Sequence, residues 1–127
     1  MYHPNFRSLT EHGAELRNFT PHPLVVVDEG GNEIMNLPSE GSIRLREKID
    51  GCPQVVDGIT FVEKEYQASD DLPSPEEGVL IVVSKMVMDA ISNRLDLVCP
   101  DTGPDSAVRD ADGRIVAVKR LQYREIE

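Results

Sequence analysis

The sequence contains no tryptophan, three phenylalanines, three tyrosines and two cysteines in 127 residues. So few aromatics leave little material for stacking a base or a sugar. Cys52 and Cys99 are far apart, with no Cys-x-x-Cys and no histidine at metal-ligand spacing, so no metal site is expected. Two reduced cysteines fit better than a disulfide, because reducing compartments discourage the bond. The longest apolar run, Val79 to Val83, is far short of the roughly 18–20 residues of a membrane span. The start, MYHPNFRSLTEHG, has no apolar stretch after a basic segment, so no secretory signal is visible and a cytosolic location is the default. His-Glu-x-x-His, Gly-x-Ser-x-Gly, a P-loop and a dinucleotide fingerprint are all missing. Neither a catalytic set nor a cofactor is expected, and the chain reads as a binding protein.

Positive charge is also scarce. With 23 acidic and 13 basic residues the formal net charge is −10, which argues against general nucleic-acid binding. The imbalance is uneven. Residues 1–77 carry 15 acidic and 6 basic side chains, net −9, and residues 78–127 carry 8 and 7, net −1. The second part could therefore hold a small anion, and nine Arg against four Lys suits a phosphate or carboxylate fork. An acidic surface that serves only solubility accounts for the charge equally well.

Thirty-nine per cent hydrophobic residues with nine Gly and nine Pro indicate one globular domain rich in turns. Residues 1–17 read as a peripheral extension, with two helical turns over Ser8 to Arg17, and residues 18–127 as a single α+β domain. NFTPHPLVVVDEGGNEIMNL predicts two strands around a Glu-Gly-Gly-Asn turn. Ser42 to Lys48 alternates as a half-buried strand, DGCPQVVDG reads as a loop, and Ile59 to Tyr66 resumes a strand. QASDDLPSPEEG is an acidic surface connection that includes Asp70-Asp71 and Glu76-Glu77. VLIVVS is a buried strand that feeds a firm helix over about 84–95. Ser84 is its cap, and Met86, Val87, Ala90, Ile91 and Leu95 form its apolar stripe. LDLVCPDTGP is a strand and loop. AVRDADGRIVAVKRLQ is a C-terminal hairpin on an Ala-Asp-Gly turn. Without βαβ alternation, a mainly antiparallel sheet follows.

The candidate chemistry gathers late in the chain. Ser84 at a helix N-terminus, Asn93, Arg94, Asp96, Arg109 and Asp110 could meet at one rim, the arginines clamping an anion. Arg-Asp pairs also brace loops, and Asp commonly opens a hairpin, so both readings stand. His22, held between prolines in Thr-Pro-His-Pro, either contacts a ligand or ties the first strand to a neighbouring loop. His3 and His12 read as exposed and incidental. Asp-Thr-Gly at Asp101 echoes the aspartic-protease triplet but lacks its strand context and reads as a turn.

The segments TPH, SKMVMDA, NRLDLVCPDTGP and VRDADGRIVAVKRL resemble a pattern of small phage-encoded proteins, the first-described class of Thoeris anti-defence sponges, over about Phe19 to Leu121. The resemblance implies non-catalytic sequestration of a cyclic ADP-ribose isomer, and in some members cyclic oligonucleotides, by a homo-oligomer with pockets between protomers. Arg109 and Asp110 would belong to that pocket, with Ser84 and Asn93 or Arg94 as further candidates. The extra residues 1–17 depart from the pattern and put pocket access in doubt. Phe19, Phe61 or Tyr66 would have to stack the adenine, although each suits the core. The alternative is an acidic protein–protein interaction module, such as a phage accessory protein that blocks a basic partner.

Overall fold

A computed structural model describes residues 5–68 and 71–125; His3 and Asp70 lie outside them. The elements run α1 (Phe6–Leu9), β1 (Glu15–Asn18), β2 (Leu24–Val27), β3 (Glu33–Leu37), β4 (Leu45–Val56), β5 (Ile59–Ala68), β6 (Val79–Val82), α2 (Lys85–Ala90), β7 (Leu97–Pro100), β8 (Ala107–Arg109), β9 (Ile115–Val118) and β10 (Leu121–Gln122). They build an α+β fold of two four-stranded sheets, β1-β6-β7-β10 and β3-β2-β9-β8, and a separate two-stranded ribbon, β4-β5.

The first sheet is buried on both faces, which is why its central strand is apolar at every position. Ile81, Val83, Leu97 and Cys99 point to one side, where Val87 and Met88 of α2 and Ile43 cover them. Leu80, Val82 and Val98 point to the other side and meet Leu24 and Val118 of the second sheet. Three layers result: helix, sheet, sheet.

The sheets are mixed rather than mainly antiparallel. β1 and β6, β6 and β7, and β2 and β9 pair in parallel, so β6-α2-β7 is a small βαβ unit that the sequence pattern hides. Its helix spans six residues rather than the twelve expected from Ser84. The Ser84 hydroxyl accepts from Val87 N at 3.3 Å as the N-cap, but Ile91 is already extended. Arg124 stops the helix from the C-terminal side, its guanidinium donating to the carbonyls of Met88, Ile91 and Arg94. With so short a helix the buried face is Val87 and Met88, and Met86 is exposed.

Near the start, the helix expected over Ser8 to Arg17 is the single turn of α1, capped reciprocally by Asn5 and Ser8. Strand β1 then begins at Glu15, inside the segment read as an extension, and pairs along β6 from Val79 to Val82. Phe6 stacks on Tyr123 with ring centroids 4.3 Å apart, fixing α1 to the C-terminal segment.

Two hairpins form where expected, and they share one turn. In β2–β3 the Asp28 carboxylate accepts from Gly30 N and Asn32 N, both at 2.9 Å. In β8–β9 the Asp110 carboxylate accepts from Asp112 N at 2.9 Å and Arg114 N at 3.0 Å. The fourth residue is a glycine at positive φ in each, Gly31 at 84° and Gly113 at 83°, where a side chain would be strained.

The expected loop over residues 50–58 is instead the end of β4 and a two-residue turn. Val56 pairs with Ile59 across Asp57 and Gly58, whose φ values of 53° and 78° meet the type I′ requirement for positive φ at both positions. Pro53 fits because the register shifts between Asp50 and Gln54, and bulges accept a residue without an N–H.

Candidate functional site

Several of the residues expected to form an anion site hold partners within the fold. Arg94 Nε and Nη2 grip Asp96 at 2.8 and 2.6 Å, and Nη2 also donates to the carbonyl of Pro73 at 2.9 Å. Asp96 is buried and Arg94 nearly so, so the pair straps the 71–78 connection to the entrance of β7. Asp110 organises the β8–β9 turn, and Arg109 Nη1 donates to Gly113 O across it at 2.7 Å. That turn closes the outer strand pair of the second sheet, while Arg94 and Asp96 lie at a central strand of the first. Among the described residues no hydrogen bond or ion pair joins the two groups. Ser84 and Asn93 are exposed, and the cap is the only role the geometry gives Ser84.

His22 is exposed and contributes its main chain. Its carbonyl accepts from Asn18 Nδ2 at 2.9 Å and from the Thr20 hydroxyl at 3.0 Å. Asn18 is the buried hub of this junction: Nδ2 also reaches Leu37 O, and Oδ1 accepts from the Thr20 amide and hydroxyl. The Asn-Phe-Thr-Pro-His-Pro segment thus joins the two sheets. Asp101 is a turn residue, accepting from Gly103 N at 3.0 Å and pairing with Arg120 at 3.1 Å. Among the described residues, no group of three His, Cys, Asp or Glu side chains could hold a metal, and no helix is long and apolar enough to cross a membrane.

What the sequence did not single out is the β4–β5 ribbon. Its strands pair only with each other in the sheet topology, and every residue from Arg46 to Gln67 is exposed. A lone two-stranded hairpin is marginal in water, yet this one carries seven large apolar side chains, Ile49, Val55, Val56, Ile59, Phe61, Val62 and Tyr66, at 36–67% exposure. Phe61 and Tyr66, both expected as core, are among them; Phe19 does pack against the core.

The register separates the two faces, since directly opposed residues share a face and successive ones alternate. One face holds Val56/Ile59, Gln54/Phe61 and Asp50/Glu63 toward the tip, with Lys48/Glu65 and Arg46/Gln67 toward the root. Asp50 and Glu63, two carboxylates side by side, border a concavity of about 460 Å³ lined also by Cys52, Gln54, Val56, Phe61 and, beside the bulge, Val62. The other face holds Val55/Thr60, Val62, Ile49/Lys64 and Glu47/Tyr66. Its two charges cancel in a Lys64–Glu47 bridge of 3.0 Å, and that hydrogen bond, with the Glu47 charge, raises the Lys64 pKa. The discoverable signal was Asp57-Gly58 between Val-Val and Ile-Thr, a strong hairpin mark.

No family model, curated protein or solved structure matches this chain.

Proposed function

We propose that the protein is a non-catalytic interaction module that docks a partner protein through the acidic-rimmed apolar face of the β4–β5 arm. The observation that carries this reading is Val56, Ile59 and Phe61 standing 54–58% exposed beside the opposed carboxylates of Asp50 and Glu63. Apolar side chains held in water on a narrow arm mark a contact surface, and buried aromatics anchor protein interfaces. The acidic rim selects a partner whose apolar patch is bordered by Lys or Arg, because unlike charge steers encounter and like charge repels. Sequestering an anionic nucleotide is the rival reading, and it asks Arg94 to leave Asp96 and Pro73, leaving Arg109 as its exposed cation.

Site-specific photo-cross-linking in the producing cell tests the proposal. A photoreactive residue at Phe61 is expected to give a discrete adduct with another protein, lost on Asp50→Lys/Glu63→Lys, and the same residue at Arg109 none. Equal labelling from both positions, or none from Phe61, overturns it. Titration with cyclic ADP-ribose isomers tests the rival. Saturable heat that Arg109→Ala abolishes would favour the anion site over the arm.

A further inference from the structure

The second face of the ribbon has a different character, and we infer that it is where a second copy of this chain sits. The inference goes beyond the docking face proposed above, because it concerns the opposite side of the arm. Leu45 at the root packs against the body's core, so the free part of this face runs from Tyr66 through Ile49 and Val62 to Val55.

Charge decides the occupant. A symmetric dimer brings like surfaces together, and two chains of net −10 repel unless the touching patch is neutral. On the first face, Asp50, Glu63 and Glu65 outweigh Arg46 and Lys48, so two copies meeting there would bring net negative charge together. On the second, the only charges are Glu47 and Lys64, already joined at 3.0 Å, so the patch meets its own copy without a net penalty. A basic partner would gain nothing from this face and would be drawn to the acidic one.

Area sets the strength. Taking about 100 Å² for a free Val or Ile side chain and about 200 Å² for Tyr, the exposed fractions of Ile49, Val55, Val62 and Tyr66 leave on the order of 250 Å² of apolar surface. A standard interface of about 800 Å² per partner carries roughly 500 Å² of it. The face supplies about half of that, so the dimer is weak and reversible. Covering it also gives the ribbon the third and fourth strands, stacked face to face, that a two-stranded unit lacks.

Sedimentation equilibrium of the full chain across a concentration series is the test, run at low and high salt. The expected result is a reversible dimer of twice the 14.1 kDa chain mass that tightens as salt screens the net charge. Ile49→Asp and Val55→Lys each weaken it by about thirtyfold or more, the scale of an interface anchor. Phe61→Asp, on the other face, leaves it unchanged. Both interface positions are exposed, so circular dichroism is expected to show the fold retained. A wild-type chain that stays monomeric to the highest soluble concentration overturns the inference, as does a dimer that Phe61→Asp dissolves and Ile49→Asp spares. Loss of the dimer with the Phe61 cross-link intact removes this inference alone; loss of the cross-link with the dimer intact removes only the docking proposal.

Discussion

Replacing Arg94 by alanine separates a structural brace from a ligand clamp. In the native chain the guanidinium meets both oxygens of Asp96 at 2.6 and 2.8 Å and Pro73 O at 2.9 Å, with side-chain exposures of 15% and 7%. Removing it leaves the Asp96 carboxylate without its cation in a site that water barely reaches. Breaking a buried pair from one side costs about 3–5 kcal/mol, whereas an exposed pair is worth about 1 kcal/mol or less. Unfolding entropy near 2.1 cal/mol/K per residue gives roughly 0.27 kcal/mol/K for a chain of this length, so the midpoint should fall by about 10–20 °C. Thermal and urea unfolding of Arg94→Ala read this directly. The double variant Arg94→Met/Asp96→Leu should recover most of the loss, because two apolar groups need no partner. A loss in Arg94→Ala under about 1 kcal/mol, with no recovery in the double variant, refutes the brace.

Three further outcomes follow from the same geometry. Asn18→Ala removes the side-chain partner of the Leu37 carbonyl and the Thr20 amide, while the Thr20 hydroxyl and the His22 carbonyl keep each other; urea denaturation should show a loss of about 2–4 kcal/mol, each abandoned group costing about 1–3 kcal/mol before relaxation. The Asp28 pKa is lowered chiefly by the Asn32 amide, so its contribution is present above the unfolded-state value and lost as pH falls through the folded one; hydrogen exchange should show the β2–β3 turn loosening below about pH 4, and Asp28→Asn should flatten that response. Burial raises the Cys99 pKa while Cys52 is exposed, so a disulfide reagent should titrate one thiol in the native chain and the second only after unfolding; two fast thiols would contradict the core placement of β7.

Legibility followed the range of the forces involved. The apolar run Val79 to Val83 announced a strand buried on both faces because each position needed a dry partner. The two Asp-initiated hairpins were readable because the carboxylate, the turn amides and the glycine all lie within five residues. The end of α2 was not readable, since the group that captures its carbonyls is Arg124, more than thirty residues away in sequence. The parallel β6-α2-β7 unit was hidden for the same reason: a six-residue helix leaves too weak a period to reveal a crossover. The ribbon was concealed by Gly51 and Pro53, which suggest a loop until the register shift beside them is known. Phe61 and Tyr66 read as core on the rule that large hydrophobes seek one, which fails on a ribbon whose residues from Arg46 to Gln67 are all exposed.

The fate of the cations shows how much of the positive charge is engaged within the fold and why the exposed balance is acidic. Arg17 pairs with Glu40, Lys64 with Glu47, Lys85 with Asp89, Arg94 with Asp96, Lys119 with Glu29 and Arg120 with Asp101. Arg109 and Arg124 bond main-chain carbonyls. At least eight of the 13 basic residues thus hold partners within the fold, which reduces the donors free to grip a phosphate. Six carboxylates are matched in those ion pairs, a minority of the 23 acidic residues, so the charge left over is negative. Part of it stands at Asp50 and Glu63 on an arm that also carries exposed Ile59 and Phe61. Charge alone would leave the arm a solubilising surface, and apolar area alone would make it an aggregation hazard. One face sets exposed apolar groups beside unmatched carboxylates, whereas on the other they flank the self-neutralised Lys64–Glu47 pair, and this difference distinguishes the two sides by what each can bind.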